Sequence, residues 1–221
     1  MTANEESGIE VFQELRLRHP KGAAAARDAV LTHLGHRWVH RPEREGEIRT
    51  TGELQVIALE RSAAGVSPGV SLWMFEENDG GFKVSNIVPL KHGDLGKKGY
   101  NDALKDFVTA VVKPAAYETS LEYDLSSGFE SIDDWADQDT AAALKRFSSL
   151  ANKSTGRSHP LDGDRWIAFL LSAHDKKTSL DSEQLARWLV EVERWPSEIA
   201  SELASEYSLS RSLLSKYDET R

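Results

Sequence analysis

Three groups of residues in this chain of 221 have types and spacings that could do chemistry. His33, His36 and His40 could supply imidazole nitrogens to a metal ion if their rings converged from one rigid geometry. No acid lies within that triplet, and Gly35 separates His33 at a helix end from His36 and His40 in a strand-like segment. Ordinary surface histidines account for the pattern, and no metal is expected. The run His159-Pro-Leu-Asp162-Gly-Asp164 sets nitrogen and oxygen ligands side by side. A turn in which Asp162 or Asp164 caps the following helix is the favoured reading, because it also explains the Pro and Gly. Paired carboxylates recur at Asp133-Asp134, Asp137-Asp139 and Asp162-Asp164. General acid–base work needs a defined separation inside a cleft, which a sequence-local acid run does not supply.

Nucleophilic and phosphate-binding signatures are missing from the sequence. Cysteine is absent, no G-x-S-x-G elbow or S-x-x-K serine occurs, and Gly96-Lys97-Lys98 lacks both the upstream glycine and the following hydroxyl of a P-loop. No cofactor is expected. Arg27-Asp28-Ala-Val-Leu-Thr-His33 resembles the Arg-x(4–6)-His motif of HEPN ribonucleases, over those seven residues only. The resemblance implies that Arg27 would steady a phosphate and His33 would move a proton. HEPN proteins are all-helical and carry the motif late in the bundle, whereas here it comes early and strands follow. A nuclease using Arg27 and His33, or a metal-dependent one using His159 and Asp162, is therefore the alternative to a non-enzymatic reading.

Charge distribution favours that non-enzymatic reading. The net charge is −9; residues 1–113 contribute −1 and residues 114–221 contribute −8. No basic residue falls between Lys113 and Lys145, while Glu118, Glu122, Asp124, Glu130, Asp133, Asp134, Asp137 and Asp139 all do. Such a field repels phosphate backbones and draws in a basic protein. The expectation is an acidic interaction module, analogous in charge and size to immunity proteins, antitoxins or bacterial defence accessory proteins that neutralise a basic partner. Asp133, Asp134, Asp137 and Asp139 would carry the contact. Trp135 among them is either a core anchor or a hot spot with a charged rim, with the core role expected. A small-molecule sensor with an apolar pocket is a further alternative, since such pockets leave little trace in sequence.

The elements that must position these residues change period along the chain. Ile9, Phe12 and Leu15 at helical spacing predict a helix over 8–18, and a second helix covers 22–34 up to Gly35. Trp38-Val39, Leu54–Leu59, Val70–Phe75 and Phe82–Val88 read as strands, with a charged turn at RPEREGE and a hairpin at Asn78-Asp79-Gly80-Gly81. Strands without intervening helices imply an antiparallel meander. The helical period returns at Tyr100, Leu104, Phe107 and Val111 and closes at Pro114, and everything beyond reads as helix or loop. Ser131 and Asp139 read as N-caps, Asp181 begins another helix, and Pro196 begins the last, with Ile199, Leu203, Tyr207, Leu213 and Leu214 in its stripe. The fold expected is α+β, as two helices, a meander and a helix in 1–115, followed by an all-helical bundle in 116–221. Asn101, Asn152 and His159 are more specific than packing requires, and local side-chain to backbone bonding is their ordinary explanation. No run of 18 apolar residues occurs and the start MTANEESGIE has no signal-peptide character, so the expected location is the cytoplasm, away from membranes.

Overall fold

The computed structural model describes residues 8–48 and 55–220 and confirms the α+β class. Its residues divide into two units, Glu10–Gly128 and the segment that begins at Phe129 and takes in Ile9. The division falls at 128/129 rather than at 115, because Glu122–Leu125 is a strand that pairs within the first unit.

The first unit is a six-stranded sheet of order β3-β4-β5-β6-β2-β7 with helices packed on it. Its strands are β2 (Leu15–Arg18), β3 (Trp38–His40), β4 (Val56–Arg61), β5 (Val70–Glu76), β6 (Phe82–Pro89) and β7 (Glu122–Leu125), with β1 (Ile9–Glu10) outside this sheet. The helix predicted over 8–18 is thus two short strands. Leu15 and Leu17 are buried and Arg16 and Arg18 exposed, a period of two that outweighs the Ile9–Phe12–Leu15 spacing. The meander forms as predicted, although Leu54 lies outside the described residues. In its Glu77–Gly81 turn, Gly80 takes φ 77°, and a Cβ on Gly81 would stand 2.9 Å from the carbonyl oxygen of Leu17.

Two helices differ from the sequence reading. The RPEREGE stretch holds helix α2 (Pro42–Ile48), with Pro at its start and Glu43 and Glu45 in its first turn, after α1 (Ala23–Thr32). Helix α3 (Gly96–Phe107) does not stop before Pro114: a π-turn (Val108–Val112) leads into α4 (Lys113–Glu118) with Pro114 in its first turn. The wider turn accommodates a residue that has no N–H to donate. Leu17, Trp38, Leu59, Leu72, Phe82, Leu104 and Phe107 belong to the core between sheet and helices.

The second unit is helical: α5 (Ile132–Trp135), α6 (Gln138–Leu150), α7 (Pro160–Asp175), α8 (Ser182–Glu191) and α9 (Ser197–Glu219). Strand β8 (Phe129–Glu130) pairs with β1, so this region is not purely helical. Rings of Trp195, Phe147, Trp166, Phe169 and Tyr207 contact in succession at 5.0–5.5 Å and build its core. Ser131 and Asp181 start their helices as expected from sequence, and each also closes a capping box. Two caps are shifted: Asp137, not Asp139, starts α6, and His159, not Asp162 or Asp164, starts α7. Leu213 of the predicted α9 stripe is exposed. Among the described residues no helix is long and apolar enough to cross a membrane.

Candidate functional site

The residues with catalytic potential are drawn apart. Arg27 donates to the carbonyl of Val56 at 2.9 Å and to Glu45 at 3.0 Å. Glu45, 2% exposed, also meets His40 at 2.6 Å and accepts the N–H of Ala58. Burial pushes the Glu45 carboxyl up, but the hydrogen bonds from His40, Arg27 and Ala58 outweigh it and hold it below its ordinary value. His33, at the C-cap of the helix that carries Arg27, turns instead to the carbonyl of Ala29 at 2.6 Å and to Glu118 at 3.1 Å. The bond to Ala29 raises its pKa against the opposing effect of desolvation, with Glu118 adding to the rise. His36 is exposed. His159 accepts from the N–H of Leu161, and buried Asp162 pairs with Arg165 at 2.5 Å. Among the described residues no three His, Asp or Glu side chains form a metal-ligand group.

The acidic candidates are largely built into their own helices. Asp133 pairs with Lys145 at 2.6 Å. Asp134 closes the capping box by accepting from the N–H and hydroxyl of Ser131. Asp137 caps α6 by accepting from Thr140 and from the N–H of Asp139; the Thr140 hydroxyl is the main cause of its lowered pKa. Asp139, 79% exposed, is 3.6 Å from Lys176. Trp135 is 7% exposed, donates to Glu130, and its carbonyl accepts from Thr178 and Ser179. It is a core anchor.

The most distinctive surface lies elsewhere, beside β6. Strand β2 pairs with β6 only at Arg16–Lys83 and Leu17–Phe82. Beyond that point the chain bends away, and the sequence supplies the reason. Buried Asn101 on α3 accepts the N–H of Gln13 at 2.9 Å and donates to the carbonyl of Val11 at 2.8 Å. Glu14 and Val11 bond to Ser126 and Gly128 on the far side. From Val84 to Pro89, β6 therefore has β5 on one side and an open groove of about 700 Å³ on the other. A bulge at Ser85 interrupts the β5–β6 register at this place.

Phe12, Tyr100, Leu95, Val84 and Ile87 line the groove, with Phe12 and Tyr100 packed edge to face at 5.0 Å. Phe12 and Val88 are exposed, which adds apolar surface along this edge. Lys83 and Glu14 pair at 2.8 Å at one end. That hydrogen bond lowers the Glu14 pKa, while burial raises the Tyr100 phenol and keeps it neutral. Gln13 also lines the groove; its buried Oε1 has no hydrogen-bond partner among the described residues. Sequence reasoning missed Phe12 because it was assigned to a helix face. The marker that was visible is Asn101, whereas Asn152 and His159 make only the local bonds expected of them.

The outer edges of the sheet contrast with this groove. Strand β7 presents Glu122 and Asp124, in register with Arg18 and Arg16, and β3 has just three residues. Charge and shortness are the usual means of blunting an edge. The edge of β6 carries apolar side chains instead. Compared with protein-family models, curated proteins and solved structures, the chain matches none.

Proposed function

We propose that this chain is a non-enzymatic protein-interaction module whose recognition surface is the groove beside β6. The observation that carries the reading is the coincidence of an open strand edge, apolar lining residues and exposed Phe12 and Val88 in one place. The groups that could have supported a nuclease support this reading too, because Arg27 and His33 point to separate partners on the scaffold. The experiment is photo-crosslinking in the native host, with a photoreactive residue at Ser85 and a control at fully exposed Val66. A discrete protein adduct from Ser85 that disappears with Val88→Asp is expected. Equal adducts from both positions, or indifference to Val88→Asp, would refute it.

A second reading keeps a basic partner at the acidic helical unit. Its support is that Asp133 and Asp139 are exposed at the starts of α5 and α6, beside carboxylates held in place as caps. Exposed carboxylates of that kind steer association more than they add affinity.

A further inference from the structure

We infer that His33 is a proton-operated clasp between the ends of α1 and α4, closed while its ring carries both protons and open once one is lost. The clasp starts from a break in the hydrogen-bond ladder of α1. A continuing helix would give the Ala29 carbonyl the N–H of residue 33, but that N–H turns to the carbonyl of Val30 at 3.1 Å. The His33 ring takes its place, with Nδ1 2.6 Å from the Ala29 oxygen. The other ring nitrogen, Nε2, stands 3.1 Å from the carboxylate of Glu118 in the last turn of α4. A carbonyl and a carboxylate are both acceptors, so both contacts are hydrogen bonds at once only when both nitrogens donate, as in the imidazolium form. Both also lie at helix C-termini, where a cation is favoured.

Glu118 is the charged group that faces the ring from α4, whose Lys113 lies exposed at the opposite end of that helix. On α1, Asp28 is exposed and Arg27 is committed to Glu45; beyond the turn, His36 is exposed and Arg37 pairs with Asp106 at 2.8 Å. A neutral ring can donate once. The Ala29 carbonyl belongs to a buried residue and has lost the N–H of residue 33, whereas Glu118 is 66% exposed and returns to water, so the bond to Glu118 is the one given up. Next in the chain, the N–H and hydroxyl of Thr119 bond back to the Ala115 carbonyl, and that hydroxyl receives the N–H of Leu121 just before the edge strand β7. A rise in pH therefore frees the end of α4 where the chain enters β7. The bond to Ala29 first, and Glu118 after it, raise the folded pKa of His33. The clasp is thus fully closed below the ordinary His value of about 6.5 and is lost as pH rises through the folded value above it.

The test is an NMR titration of the full chain with isotope-labelled histidine, run beside Glu118→Gln and His33→Gln. In the wild type His33 should titrate above about 6.5, and its neutral form should keep the proton on Nδ1, facing Ala29. In Glu118→Gln the midpoint should fall only partway, because the bond to Ala29 remains. Hydrogen-exchange protection at Thr119 and Leu121, corrected for the intrinsic rate, should drop as pH passes the midpoint in the wild type and show no such step in either variant. A midpoint at or below the ordinary value, an equal midpoint in Glu118→Gln, a neutral ring protonated on Nε2, or protection indifferent to the midpoint would each overturn the inference. Glu118 is exposed, so Glu118→Gln retains the fold and decides the question should His33→Gln fail to fold.

Discussion

Replacing Asn101 tests the link between one side chain and the existence of the groove. Asn101 is 3% exposed and holds the 11–14 segment by two hydrogen bonds, 2.9 Å to the Gln13 N–H and 2.8 Å to the Val11 carbonyl. Asn101→Ala removes both and leaves two main-chain groups without partners. Each buried orphan costs about 1–3 kcal/mol, and Val11 is only half-buried, so water regains part of its share. The net expectation is about 2–3 kcal/mol. With a urea slope of about 1–3 kcal/mol per molar, the unfolding midpoint of the first unit should drop by roughly 1 M. Hydrogen exchange gives the local signature: the Gln13 N–H should lose its protection, while the amides that join β2 to β6 at Arg16 and Leu17 keep theirs. Asn101→Asp retains an acceptor for Gln13 but no donor for Val11, so Gln13 should stay protected there. A stability unchanged within about 0.5 kcal/mol, with Gln13 still protected in Asn101→Ala, would refute the idea that this clamp opens the edge of β6.

Glu45→Gln should cost the first unit about 2–3 kcal/mol near neutral pH, because it leaves the Arg27 guanidinium, 18% exposed, without its carboxylate. The folded Glu45 pKa lies below the ordinary Glu value of about 4.3, so its contribution is complete above that pH and is lost as pH falls through the folded value. The difference between wild type and Glu45→Gln in urea midpoints should therefore shrink on acidification; a constant difference would contradict the assignment. Trp135→Ala should destabilise the helical unit by about 3–5 kcal/mol as a core truncation, whereas Asp133→Lys/Asp139→Lys should leave its circular dichroism melt in place. Weaker low-salt binding of a basic partner by the charge-reversed chain would support the second reading; unchanged binding would remove it.

How much was legible in the sequence depended on how local each signal is. The hairpin at Asn78–Gly81, the strands of the meander and the helix starts at Ser131 and Asp181 are short-range patterns, and each appears where its residues predict. The same locality misled at 8–18, where three apolar residues fit a helix as well as a strand. Pairing of β2 with β6 and β7 settled the choice, since it buries Leu15 and Leu17 on one face. Strand β7 was invisible for a related reason: Glu122-Tyr-Asp-Leu has little strand character alone and is held by cross-strand partners over a hundred residues upstream.

Composition, charge asymmetry and the periodicity of single segments determined the α+β class, the helical character of the C-terminal region and the lack of sequence support for cysteine or P-loop chemistry. Tertiary structure alone decided which polar residues are spent on the fold. Asp134 and Asp137 cap helices, Arg27 serves Glu45, and Trp135 is core. It also decided that Asn101 draws residues 11–14 away from β6 and so leaves a strand edge open. No window of sequence contains that edge, because a missing neighbour is a property of the paired sheet rather than of the strand that lacks one.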